Sequence, residues 1–495
     1  MRIVVCLILA GAAAGWAAAR PTGAAPAKPP ADPGRPYGVG AVDGAPSAAL
    51  SCSAASCHGG GQPGRAGSEH STWAVDLSAA AGDPHDPHAR AYRVLFAPAS
   101  RRMAELLEPD EAKRTAPHEN EACLKCHGVA GVADKTARAE GVGCAGCHGP
   151  DERWRTVHYL SWWKALSNRE KAGYGFVPTK NLVARASACA ACHVGGADRD
   201  VDHDLIAAGH PRLAFEYTRF HYQPAYRKHW AEKTPQPDFE VRAWAVGQVA
   251  SLRAAADLLR VRAERAAGGG VWPEFAGYSC YACHQSVGGD GPKAGASATT
   301  RRGRPGWEVW YTAAAPAAMT ALGELYPGLP AAPEAELTAL RARMGRGGAG
   351  RKDRPDAPGA VAAGAAKLVA KLDAWLAAVQ AAEDGAADSR LTRDQGRRLV
   401  ADLAAFAAAS ESATPTDHDW DSLAARFLGC AAVHHATGGA AANPAWAGPL
   451  DDIRAGLRFP DPSFDSPAGF DRHKLKSVRG RFDGLRIGGR VPGGE

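Results

Sequence analysis

Apolar residues recur at helical spacing through the second half of the chain, and no stretch alternates as a β-strand would. One stripe follows Asp238, which is placed to cap a helix. Two more lie in an Ala-rich region, the second after a Thr392-x-x-Gln395 capping box. The stripes are Val241, Ala245, Val249, Leu252, Ala256 and Leu259; Leu368, Leu372, Trp375, Leu376 and Val379; and Leu399, Val400, Leu403 and Phe406. They predict a mainly α protein.

Low-complexity stretches suggest how the chain is divided. A leader rich in Pro, Ala and Gly covers residues 20–48, and a second linker rich in Pro, Gly and charge covers residues 330–360. Residues 49–320 form the predicted main domain between them. Residues 361–495 form an Ala-rich helical C-terminal region that carries no chemical motif.

The first 19 residues have the composition of a signal peptide. Arg2 supplies a basic start, an apolar run extends to Trp16, and residues 17–19 are a small-residue cleavage site. A transmembrane anchor is the alternative, but the apolar run is short for one. We therefore expect a periplasmic or otherwise exported protein with no integral membrane span after cleavage.

Eight of the twelve cysteines fall in four copies of Cys-x-x-Cys-His. This pattern is typical of covalent haem c attachment, because two thiols held by a short turn add to the two vinyl groups of one porphyrin. The His that follows reaches the iron from one face. The copies are Cys123, Cys126 and His127; Cys144, Cys147 and His148; Cys189, Cys192 and His193; and Cys280, Cys283 and His284.

A fifth attachment site is predicted at Cys52, Cys57 and His58, where the spacer has four residues. A disulfide or a free pair is the alternative there. With this site filled and Cys6 removed with the signal, only Cys430 is left, and we read it as a small buried residue. Zinc and disulfides are the rivals at the other four sites, but neither explains a His after every second Cys.

Haem would also account for the composition and the charge. Hydrophobic residues make up 45% of the chain, but many are Ala, and aromatic residues make up only 7%. Because Ala buries little area, we expect a multihaem helix-and-loop fold whose core is haem c, with five groups and at least four. The formal charge of +6 does not indicate a nucleic-acid partner, because each ferric haem with its propionates contributes about −1.

Residues around these motifs resemble the cytochrome c-554 family of multihaem cytochromes, which is related to the hydroxylamine oxidoreductases. The likeness covers roughly residues 50–285. It rests on the Asp-Pro-His of residues 86–88, the Gly-Val-Gly-Cys-Ala-Gly-Cys-His-Gly-Pro of residues 141–150, and the His-x6-His-Pro of residues 203–211. The family's namesake has four Cys-x-x-Cys-His haems, so the Cys52 site and the C-terminal region depart from it.

The resemblance implies which histidines supply the second axial ligands of the irons. It points to His88 and His210, and after them to His158 and His203. His118 and His229 compete for the remaining iron. For each, the alternative is a surface residue or one that bonds a haem propionate.

Two classes of function fit these features, and no catalytic residue can be named from the sequence. The first is an electron carrier that passes electrons between redox partner proteins through closely packed haems. The second is an oxidoreductase that acts on a small nitrogen or sulfur compound at a five-coordinate haem. Enzymatic relatives often carry Cys-x-x-Cys-Lys, and its absence here favours the carrier.

The first testable prediction concerns the number of attached groups. The intact mass of the mature protein should exceed its polypeptide mass by five haem masses, because five pairs of thiols are available for thioether bonds. An excess of four haem masses would mean that Cys52 and Cys57 hold none.

Overall fold

The computed structural model describes residues 36–37, 46–60, 67–74, 86–129, 135–221, 229, 238–280, 306–344, 356–385, 390–405, 420–457 and 472–488. Within these ranges the protein is mainly helical, as predicted, with two isolated β-bridges and no strand. The α-helices are α1 (Glu69–Trp73), α2 (Pro98–Leu107), α3 (Glu121–His127), α4 (Lys135–Arg138), α5 (Cys144–His148), α6 (Ser161–Ala165), α7 (Asn168–Ala172), α8 (Leu182–His193), α9 (His203–Ala207), α10 (Tyr217–His221), α11 (Phe239–Ala267), α12 (Val309–Thr312), α13 (Ala315–Leu325), α14 (Glu334–Met344), α15 (Pro358–Gly385), α16 (Arg393–Ala405), α17 (Trp420–Ala436), α18 (Gly439–Ala442), α19 (Pro444–Leu457) and α20 (Arg472–Gly488). Four 3-10 helices span Ala49–Cys52, Pro87–Arg90, Arg93–Phe96 and Phe275–Gly277.

Helices before α8 are short because tight turns separate them. Gly149, directly after α5, adopts φ 81°, a left-handed conformation that favours glycine. A Cβ there would lie 2.2 Å from the carbonyl oxygen of Gly175. The chain can therefore turn away from α5 at this position only without a side chain.

The 29-residue helix α11 forms the centre of the fold. It packs against α8, α13, α15 and α17, and Trp244 within it is fully buried. Asp238 is its N-cap residue, as the sequence predicts, but its carboxylate makes no cap bond and accepts a 2.7 Å bond from the Leu391 amide instead. That bond ties the segment before α16 to the start of α11.

The predicted stripes of the C-terminal region are buried. All five apolar residues of the α15 stripe are core residues, and so are Leu399, Val400 and Leu403 in α16. The capping box is present, because the amide of Gln395 donates to Thr392 and the amide of Thr392 donates to the Gln395 side chain. Phe406 lies outside the described residues.

Helix α14 lies inside the stretch that the sequence suggests as a low-complexity linker, residues 330–360. Its Leu337, Leu340 and Met344 are buried in the main core. Their spacing of three and four residues places them on one helical face, which the Pro and Gly residues on either side obscure in the sequence. The wider division into domains stays a prediction.

Hydrophobic packing is distributed unevenly along the described chain. One large core runs from Leu182 to Leu485 and joins α8 and α11 to the C-terminal helices. Before Leu182 there are three small clusters, built around Tyr37, Ala49 and Trp154. Residues 46–181 therefore contain little apolar packing of their own.

No helix among the described residues is long and apolar enough to cross a membrane. The predicted signal peptide and the leader up to residue 35 lie outside the described residues, as do Cys283 and His284.

The uneven packing predicts how the haem-free chain behaves. Without haem, residues 46–181 should be unfolded, because cofactor binding supplies the stability that their small clusters lack. The helices from α11 onward should survive, since their core contains large apolar side chains. Limited proteolysis of haem-free protein should cleave the first region quickly and the second slowly, and equal protection of both would contradict the expectation.

Gly247 offers a test of the core that does not involve haem. It lies inside α11, and a Cβ there would stand 2.4 Å from the Cβ of Tyr217. Gly247→Ala should destabilise the protein by about 1–3 kcal/mol, because a packed core resists added volume. Gly323→Ala is the control, since Gly323 is exposed in α13 with open space around it, and there Ala should stabilise by about 0.5–1 kcal/mol. Denaturant unfolding measures both, and equal effects would contradict the packing.

Candidate haem-binding sites

Each attachment site is named here by its first cysteine. At the Cys123, Cys144 and Cys189 sites the motif ends a helix, and the His is the last helical residue of α3, α5 and α8. Residues three and four positions apart share a helical face, so both thiols and the His point the same way. Asn120 and Asn181 cap α3 and α8 through their side chains, which fixes where those helices begin.

The Cys52 site uses a loop instead of a helix. Cys52 ends a 3-10 helix, and the amides of Cys57 and Gly59 donate to the carbonyl of Ala54, so the four-residue spacer folds back as a turn. Gly59 is required there, because a Cβ would lie 1.8 Å from the carbonyl oxygen of Ser53. Every described cysteine is a free thiol, so this site contains no disulfide between Cys52 and Cys57.

Three histidines implied as second ligands lie opposite histidines of attachment motifs. Two metal–nitrogen bonds of about 2 Å, each followed by about 1 Å to the ring centre, would separate two ligand rings by roughly 6 Å. The ring-centre distances are 6.1 Å for His58 and His158, 6.0 Å for His193 and His88, and 6.4 Å for His127 and His210. These separations fit an iron between the members of each pair.

Hydrogen bonds orient five of these six rings in the same way. In each, Nδ1 donates to a fixed acceptor, which leaves Nε2 as the nitrogen that can bind a metal. The acceptors are carboxylates of Glu69 for His58 (2.9 Å) and Asp86 for His88 (2.8 Å), and carbonyls of Ala91 for His127 (2.9 Å), Arg155 for His158 (2.7 Å) and Pro211 for His210 (2.7 Å).

His148 lies close enough to His229 for the two side chains to interact electrostatically. Burial lowers the pKa of His148 to about 4, and the electrostatic influence of His229 and His58 adds to that effect. The pKa of His229 is likewise lowered by burial. Both imidazoles are therefore neutral at pH 7, which is the form that binds iron.

For two candidate histidines the structure shows contacts with other groups. His203 lies at the start of α9, where its amide donates to Glu274 and its ring packs edge-on against Phe275 at 6.0 Å, five residues before Cys280. His118 stacks on Phe96 at 4.3 Å. Their roles as ligands stay predictions.

His203 and His210 do not share one continuous helix. Helix α9 ends at Ala207, and Gly209 adopts φ 118°. This turn directs His210 towards His127, a placement that a helix through residue 209 would not give.

Thiols of different motifs lie beside one another. Cys52 hydrogen bonds with Cys144, and Cys126 with Cys192. Cys147 in turn is close enough to Cys189 for their charges to interact. The four described sites therefore adjoin in the order Cys52, Cys144, Cys189, Cys123.

A small cavity of about 50 Å³ lies next to Cys280. Arg212 lines it and makes a two-bond ion pair with Asp421, both at 2.7 Å. Glu308 lines it too, in a left-handed conformation with φ 44°. Burial raises the pKa of Glu308 to about 7 against the opposing charge of Arg262. No sequence pattern marks this group, which the fold assembles from distant segments.

The described residues contain no cluster of three or more His, Cys, Asp or Glu side chains that could hold a bare metal ion. A zinc site needs such a cluster, whereas a haem iron takes at most two ligands from the protein. The facing pairs of imidazoles described above supply that number of ligands.

Comparison with known protein families matches part of the chain. Residues 84–149 match the family described as cytochrome c554 and c-prime. The matched segment contains His88 and the complete Cys123 and Cys144 motifs. No curated protein and no solved structure matches the chain. Over residues 84–149 the chain is therefore similar to c-type cytochromes of the cytochrome c554 and c-prime family.

Proposed function

We propose that this protein is an exported multihaem electron carrier with five covalently bound haems. The observation that carries the proposal is the set of facing imidazole pairs at 6.0–6.4 Å. An iron with an imidazole on each face has no open position, so it exchanges electrons and does not bind substrate.

Each haem would be held by two thioether bonds and two imidazoles. The pairs are His58 with His158, His127 with His210, His148 with His229, and His193 with His88. The Cys280 site would use His284, and His203 is a candidate for its other face because its ring contacts Phe275, five residues before Cys280.

Bound haem would supply an iron that alternates between the ferric and ferrous states. The residues of the chain do the rest. The cysteines would fix the porphyrin edge, the paired imidazoles would exclude water from the iron, and the acceptors at Nδ1 would hold five of the rings in place. The adjoining thiols support an electron path in the order Cys52, Cys144, Cys189, Cys123.

The path extends towards the fifth site through Arg212. This residue lies two positions after His210, and its side chain hydrogen bonds with Cys280. The Cys280 site would therefore neighbour the Cys123 site. Redox partner proteins would exchange electrons with exposed haems, and export to the periplasm is supported by the signal-like composition of residues 1–19.

Replacing His210 tests the proposal. In His210→Ala the haem of the Cys123 site should lose one axial ligand, so one low-spin signal should become high-spin in electron paramagnetic resonance. The site should also open to carbon monoxide, which the wild-type haem should not bind there.

His435→Ala is the matched control, because His435 is an exposed histidine of α17 that pairs with Glu240 and belongs to no candidate haem site. It should keep every low-spin signal of the wild type. If His210→Ala also keeps them all and binds no carbon monoxide, the assignment of His210 is wrong. A second class of function, chemistry at an open haem, would gain support if wild-type protein itself bound carbon monoxide.

A further inference from the structure

The acceptors that orient the histidines are of two kinds. At the Cys123 site both rings donate to backbone carbonyls, of Ala91 and Pro211. At the Cys189 site His88 donates to the Asp86 carboxylate, and at the Cys52 site His58 donates to Glu69. A carbonyl is a neutral dipole, whereas a carboxylate brings a full negative charge to the ring.

The two carboxylates also differ in exposure. The side chain of Asp86 is 4% exposed and that of Glu69 is 40% exposed. Charge interactions are strong away from water and weak where solvent screens them. Asp86 should therefore act on its ligand much more strongly than Glu69 acts on His58.

Asp86 is held in place by the local fold. It caps the 3-10 helix Pro87–Arg90, and one carboxylate oxygen accepts from both the amide and Nδ1 of His88. The carbonyl of His88 accepts a 2.9 Å bond from the Val142 amide. At Gly141, a Cβ would lie 2.5 Å from that carbonyl oxygen, so the approach of the two segments is close.

Asp86 is therefore both buried and hydrogen bonded to its histidine, so its negative charge acts on the His88 ring with little screening by water. At His127 the acceptor is the Ala91 carbonyl, which carries no net charge.

We propose that Asp86, and more weakly Glu69, lower the reduction potentials of their haems and so set the direction of electron flow. A carboxylate that accepts the Nδ1 proton makes the imidazole a stronger donor and stabilises ferric over ferrous iron. An electron passing along the row of haems would then leave the Cys189 haem ferric and reside on the Cys123 haem. The histidines of the Cys123 haem donate their Nδ1 protons to neutral carbonyls. This inference rests on the proposed electron-carrier function.

Asp86→Asn in the holoprotein tests the inference by redox titration followed in the visible spectrum. Asn keeps the size and the cap acceptor but removes the charge. One haem should become easier to reduce by about tenfold in its ferrous-to-ferric ratio, which is about 59 mV for one electron. The haem whose potential shifts in Asp86→Asn should be one of those with lower reduction potentials in the wild type. The haem altered by His210→Ala should be one of those with higher potentials.

Asp110→Asn is the matched control. Asp110 also accepts a bond from the amide two residues later, but it is exposed and bonds no histidine. It should leave every potential unchanged. Glu69→Gln should raise one potential by a smaller amount, about threefold in the same ratio, and it keeps the test open if Asp86→Asn does not assemble.

Unchanged potentials in both carboxylate variants would overturn the inference, and so would a shift confined to the highest-potential haem. Failure of the proposed function looks different. In that case the wild-type protein would lack low-spin haem, and no potential would be available to shift.

Discussion

The hydrogen bonds from Nδ1 of five candidate ligands to fixed acceptors are the constraint on which the rest of the site depends. A free imidazole turns about its side-chain bonds and offers either nitrogen. Here carbonyl or carboxylate oxygens at 2.7–2.9 Å fix five rings and leave Nε2 available. The facing distances of about 6 Å depend on this orientation, because a rotated ring would not present Nε2 to its partner.

The large core of buried apolar residues connects to one of the candidate sites. Helix α8 ends in the Cys189 motif and also packs against α11, so the core that joins α11 to the C-terminal helices extends to one haem site. The other sites lie on short helices and loops with small clusters of their own. Under the proposed function, bound porphyrins would fill the region where apolar side chains are few.

The sequence predicts local features of this protein well. Attachment motifs need only five or seven consecutive residues, and the helical stripes of α11 and α15 need only one turn at a time. The pairing of the histidines is not a local feature, because His158 lies 100 residues from His58 along the chain and His210 lies 83 residues from His127. Only the folded chain brings such residues together.

Other features follow from single backbone positions. Helix α9 ends at Ala207, and the left-handed turn at Gly209 comes directly before His210, whose ring faces His127. Asp86 belongs to the Asp-Pro-His segment that the sequence singles out, but its bond to Nδ1 is visible only in the structure. Helix α14 is not predicted from the sequence, because the Pro and Gly residues around it indicate a linker more strongly than three apolar residues indicate a helix.

Anomalous scattering at the iron edge from crystals of the holoprotein would test the central claim most directly. We predict one iron between the two rings of each pair, with both Nε2 atoms about 2 Å from the metal. An iron bound to His127 or His193 but with no second imidazole opposite it would contradict the account.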